Sequence, residues 1–141
     1  MVATMLRGPV ATLWHGEGPD AAWTLGRSVL ERARPRTVQI HSWSPSLVAD
    51  SIRRALPGVG LVCGFGIDSI ARDVTKQRIS VADGVRIFVR LAERATVAGA
   101  RAVKWNAEAA WKRQPNSAES KLLTELVRNA LAEIAARYPT L

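Results

Sequence analysis

The feature that most constrains this chain is an alternation. Four short apolar or β-branched runs follow one another, each leading through a polar or Gly-containing loop into a helical stretch. The runs are Val10-Ala11-Thr12-Leu13-Trp14, Thr37-Val38-Gln39-Ile40, Val59-Gly60-Leu61-Val62-Cys63 and Arg101-Ala102-Val103-Lys104-Trp105. Strands that alternate with helices imply a parallel sheet, because a helix crossover is what carries the chain back to start a neighbouring strand in the same direction. The chain therefore reads as α/β, a single domain over residues 1–141 built from four consecutive βα units.

The helical stretches carry their own punctuation. Asp20 is an N-cap candidate for a helix over about 20–33, with Leu25, Val29 and Ala33 at four-residue spacing on its buried face and Pro35 as its stop. Ser44-Pro45 reads as a cap and first-turn proline for a helix over about 45–56 that buries Val48, Ile52 and Leu56. After the third run, a helical turn is expected near 69–77. Ser80 then caps an amphipathic helix at about 81–98. Val81, Val85, Phe88, Leu91, Ala92 and Ala95 form its buried stripe; Asp83, Arg86, Arg90, Glu93 and Arg94 face mostly outward, and Gly99 is the C′ residue. The last helix, about 118–137, shows two neighbouring apolar rows: Leu122, Leu126, Ala130 and Ile134, and Leu123, Val127, Leu131 and Ala135.

Composition narrows the functional classes. A chain of 141 residues is long enough for one real core. No stretch approaches the roughly 20 apolar residues of a membrane span. The N-terminus lacks a charged region followed by an apolar one, so no signal peptide is expected, and the location expected is cytoplasmic or reached by another route. The lone Cys63 excludes an internal disulfide framework and reads as a small core residue of a strand. The formal charge of +8 comes mainly from arginines dispersed among Glu and Asp, the pattern of a solvated face and not of a specific nucleic-acid interface. Gly64-Phe65-Gly66 lacks the third glycine of a dinucleotide fingerprint, and no cofactor is called for.

Four βα units are half of a TIM-type (β/α)8 barrel; a small open parallel sheet is the alternative. Gly-Phe-Gly-Ile-Asp at 64–68 and Trp-Asn-Ala-Glu at 105–108 resemble strand-end motifs of barrel glycoside hydrolases. Asn106-Ala107-Glu108 is similar to the Asp-x-Glu of chitinase-like enzymes, with Asn in place of Asp. The resemblance implies a catalytic acid/base Glu at the fourth strand's end and a polysaccharide substrate, such as a cell-wall polymer. The longer Asp-rich motif of those enzymes is absent, and a carboxylate on a later strand is missing. An isolated half barrel would leave its first and fourth strands as open edges and its inner face uncovered, so a homo-oligomer, a larger complex or a longer chain is expected to complete it.

In parallel-sheet folds, ligands bind at the carboxyl ends of the strands. The sequence places Trp14, His15 and Glu17, His41 and Trp43, Phe65 and Asp68, and Trp105, Asn106, Glu108 and Trp111 there. Sugar faces pack on aromatic rings, which assigns Trp14, Trp43, Trp105 and Trp111 to substrate binding, joined by His15, His41 and Asn106. Glycoside hydrolysis needs two carboxyl groups. Glu108 is the candidate acid, with burial beside Trp105 expected to raise its pKa, and Asp68 and Glu17 are the further carboxylates. Three other readings compete: a non-enzymatic carbohydrate-binding or assembly module, a metal-dependent barrel hydrolase using His15 and His41, and a small open-sheet nucleotide- or phosphate-binding domain. Close-spaced metal motifs are missing, and hydrogen bonding is the simpler role for both histidines. Trp23, on a helix, reads as packing.

Overall fold

The computed structural model describes residues 2–7, 10–15, 19–106 and 117–141. Among the described residues ten elements follow in order: β1 (Val2–Arg7), β2 (Val10–His15), α1 (Pro19–Ala33), β3 (Thr37–His41), α2 (Ser46–Ala55), β4 (Gly60–Gly66), α3 (Asp68–Thr75), α4 (Val81–Val97), β5 (Ala102–Asn106) and α5 (Ala118–Arg137). The fold is α/β with a small open sheet in the order β1-β2-β3-β4-β5. β2 pairs parallel with β3, and β3 with β4. β5 joins beside β4 through Arg101 N to Leu61 O, 2.9 Å.

Residues 2–7, weighed from sequence only as a leader, form β1. It pairs antiparallel with β2 over the full length, Val2 opposite His15 and Arg7 opposite Val10. The first parallel strand is therefore not the open edge expected of it; β1 satisfies its outward backbone groups. A signal was present in the alternation around Val2, Thr4 and Leu6 and in Gly8-Pro9 between two strand-like runs.

Two compact units share the chain: residues 1–65 with 94–104, and residues 66–93 with 105–141. The first holds most of the sheet. Its register aligns Ala11, Val38 and Leu61, and then Leu13, Ile40 and Cys63, on one face. Val38, Ile40, Leu61 and Cys63 are buried there, and α1 and α2 add Leu30, Val48, Ala49 and Ile52 to the core. α1 packs against β1, β2 and α2, as right-handed crossovers require of successive helices. Its buried row differs from expectation: Leu30 is fully buried, Val29 half-buried and Ala33 exposed. The row passes through Gly26 and Leu30, one position along from the spacing read in sequence.

The stops work as read. α1 ends at Ala33, with Arg34 in the left-handed region (φ 42°) and its N–H bonded to Leu30 O. Gly99 (φ 66°) ends α4 as a C′ residue. The Arg53 guanidinium donates to the Ala98 carbonyl beside it, placing a cation at the negative end of the helix.

In the second unit α3 is a full helix and not a single turn, and it packs against α5. Ser117 caps α5 by accepting from Ser120 N at 3.1 Å. α5 buries Leu126, Ala130 and Ile134, but the neighbouring row is not buried: Leu131 is 51% exposed. The wide apolar face read in the sequence is a narrow one. No helix among the described residues is long and apolar enough to cross a membrane.

Ser80 and Asp83 close a reciprocal cap at the start of α4. Asp83 N donates to Ser80 Oγ at 3.0 Å, and Ser80 N donates to Asp83 Oδ2 at 3.2 Å. The hydroxyl and backbone N–H of Ser80 hold the Asp83 carboxyl below its ordinary pKa. Ser80→Ala is expected to lower stability by about 1 kcal/mol in urea unfolding at neutral pH. The difference from wild type should shrink as the pH falls below the carboxylate range, since the lowered pKa contributes stability only while Asp83 is ionised.

Candidate functional site

Because β2, β3 and β4 are parallel, their carboxyl ends lie together. Their last common rung is Trp14–His41–Gly64. The sequence placed Trp14 and His41 at strand ends, and the register does the same. His15, the final residue of β2, pairs with Val2. β4 runs on to Gly66, so Gly64 and Phe65 are strand residues and not a loop.

His41 is buried, at 9% exposure. Gly64 makes that possible: a Cβ there would lie 2.6 Å from His41 Cε1 and 2.8 Å from Nδ1 and Nε2. The imidazole occupies the space that a side chain at 64 would fill. The Gln39 amide, two residues back on the same face and also buried, contacts His41 Nε2. Burial pushes the His41 pKa down to about 4, and the positive charge of Lys104 on β5 adds to the effect. The ring is therefore neutral at neutral pH.

That has a consequence for stability. Between the ordinary histidine value of 6.5 and about 4, the unfolded chain binds a proton at His41 and the folded chain does not. His41 thus contributes no penalty above pH 6.5 and a growing one as the pH falls toward 4, of at most about 3 kcal/mol. Urea midpoints measured from pH 7 to 4 should fall for wild type, and fall less for His41→Gln.

The β3–α2 loop presents the second group. Ser42 is buried, and its Oγ accepts from Ser44 N at 2.9 Å, folding the loop on itself. Trp43 between them is 48% exposed. Its ring is backed by buried Phe65, with centroids 6.3 Å apart and planes at 53°. Arg94 Nη1 donates to the Trp43 carbonyl at 2.8 Å. The backbone is held from one side and the ring from behind, while the rest of the indole meets solvent. Leu47, in the first turn of α2, is also exposed.

Asp68, Trp105 and Asn106 belong to the second unit. Asp68 is the first residue of α3 and half-buried. Asn106 ends β5, and its carbonyl accepts from Ile67 N at 2.9 Å. Trp105 is half-buried against Phe88, ring centroids 4.7 Å apart, which gives it a packing role. Glu17, Glu108 and Trp111, and the side chains of Trp14 and His15, lie outside the described residues. Among the described residues no group of three His, Cys, Asp or Glu is arranged to hold a metal ion. Cys63 is buried in β4, where burial pushes its thiol up to about 12, so it is a core group and no nucleophile.

Arg94 and Lys104 were not singled out in the sequence. Arg94 reads there as one outward cation of an amphipathic helix, and Lys104 as the polar member of an alternating strand. Both act here through tertiary placement, which periodicity does not carry. No protein-family model matches the chain, nor does any curated protein or solved structure.

Proposed function

We propose that the chain is a carbohydrate-recognising α/β domain of the glycoside-hydrolase kind, half of a (β/α)8-type barrel, acting on a polysaccharide. The observation that carries this reading is Trp43, an exposed indole at a strand end, braced by Phe65 and tied down by Arg94. Sugar C–H groups pack on such a surface, and a platform already held in place loses little freedom on binding. The consecutive strand order supports the half-barrel part, because strands added in one direction keep their crossover helices on one face. The other face carries the buried polar pair Gln39 and His41, as the mouth of a barrel interior would.

In this reading Glu108 is the general acid/base, following Trp105 and Asn106 of the fourth strand-like run in the sequence, and Asp68 or Glu17 supplies the second carboxyl group. Binding without turnover is the second reading. It is favoured by the charge of Arg94 and Lys104, which act on Trp43 and His41 and are both cationic. A cationic surround suits retention of a glycan and does not raise the pKa of an acid.

Co-sedimentation with insoluble polysaccharides and reducing-sugar release separate the two. Trp43→Ala is expected to weaken retention at least about tenfold, a loss of about 1.4 kcal/mol. Glu108→Gln is expected to retain the polymer while releasing no sugar. Undiminished release by Glu108→Gln would remove it as the acid, and undiminished retention by Trp43→Ala would remove the platform.

A further inference from the structure

The face of α1 and α2 carries a cleft that the glycan reading of Trp43 does not use. It has a volume of about 230 Å3 and is lined by Trp23 and Arg27 of α1 and by Ser51, Arg54 and Ala55 of α2. Trp23 and Arg27 are one helical turn apart, and so are Ser51 and Arg54, so each helix presents one edge to the cleft. The two helices pack against each other, and each buries a core residue, Leu30 of α1 and Ile52 of α2. Both walls are therefore anchored in the core.

We infer that this cleft binds a sugar phosphate. Trp23 is half-buried, not packed away as its helical position suggests, and offers an indole wall. The Arg27 guanidinium sits over that ring at 5.9 Å from the centroid, with its Nε committed to Glu31 at 2.7 Å. Arg54 donates from Nη2 to the Ser51 hydroxyl at 3.2 Å. Its neighbour Arg53 is the one that takes Asp50, at 2.9 Å. Among the described ion pairs, Glu31 neutralises Arg27 and Asp50 neutralises Arg53, while Arg54 takes part in none.

That arrangement has an excess positive charge next to an aromatic face and a hydroxyl. A guanidinium fork matches the oxygens of a phosphate in bidentate fashion, and an indole matches the C–H face of a sugar ring. The volume lies below the roughly 300–1,000 Å3 of a site for a drug-sized ligand and suits a single sugar unit. Ala55 adds a small apolar side chain to the lining.

The test is a 15N–1H NMR titration of the full chain, read at the Trp23 indole N–H, identified by its loss in Trp23→Phe. The probes are glucose 6-phosphate, glucose and inorganic phosphate. The expected result is a saturable shift with glucose 6-phosphate, binding several-fold tighter than inorganic phosphate, and no shift with glucose. Arg54→Gln should weaken the sugar phosphate at least tenfold, while Trp43→Ala leaves it unchanged, which keeps this result separate from the outcome at Trp43. The proposal is overturned by no saturable shift at about 10 mM, where a Kd of about 1 mM would be evident. It is equally overturned if inorganic phosphate binds as tightly as the sugar phosphate, an adventitious ion only, or if Arg54→Gln binds as wild type does.

Discussion

Phe65→Ala is expected to cost about 3–5 kcal/mol in urea unfolding, the largest single loss among the substitutions considered. Phe65 is 1% exposed and is among the largest fully buried side chains. It extends the face that carries Leu61 and Cys63 on β4. Its removal leaves a cavity at the end of the strand as well as losing the transfer energy of the ring. It also takes the support from behind Trp43. The variant should therefore lose glycan retention under conditions where it is still folded. Phe65→Leu, which keeps most of the volume, should recover much of the stability but less of the retention, because a branched aliphatic group does not present a flat face to the indole. Equal recovery of both would mean that the brace is only a matter of filling space.

Gly64→Ala is the second large effect, by a different route. Nothing about the backbone at 64 demands glycine; the demand comes from the His41 ring, which a Cβ would approach to 2.6 Å. His41 is held on one side by Gln39 in a buried position. It has little room to move, and the expected cost is about 1–3 kcal/mol, as for other overpacked cores. The double variant Gly64→Ala with His41→Ala should regain part of that loss, because the clash disappears with the ring. An unchanged penalty in the double variant would place the cause in the strand and not in the imidazole.

These positions show which parts of the molecule were legible in the sequence. Local signals translated well. Pro35, Ser80 and Gly99 mark helix ends in both sequence and structure, because a cap or a stop depends on a few neighbouring residues; the caps read at Asp20 and Ser44 do not hold, since α1 already begins at Pro19 and Pro45 is the N-cap of α2 without a side-chain bond. The parallel pairing of β2, β3 and β4 followed from the alternation of strand and helix, and the open sheet fits the alternative to half a barrel. Signals that depend on a partner element did not translate. The buried row of α1 runs through Leu30 where Val29 was expected, since two rows one position apart look alike until the sheet is in place. Leu131 is exposed on α5 although its spacing matches a buried row. β1 was missed because its pairing partner, β2, had already been read as the start of the fold.

The same division holds at the site. His41 and Trp43 were found because strand ends are readable. What fixes them was not: Gly64 reads as part of a glycine-rich turn and Arg94 as a solvated charge. Each owes its role to a group far away in sequence, namely His41 and the Trp43 carbonyl.

The central claim is that Trp43 is a platform for a sugar ring. Its indole N–H, identified in a 15N–1H spectrum by its loss in Trp43→Phe, reports on this directly during titration with a soluble oligosaccharide of the polymer that the protein retains. The account predicts a saturable shift of that signal, with the Trp23 signal unmoved, and a shift of the same kind in Glu108→Gln. A Trp43 signal that stays in place while the oligosaccharide binds, or no binding to any retained polymer, would contradict it.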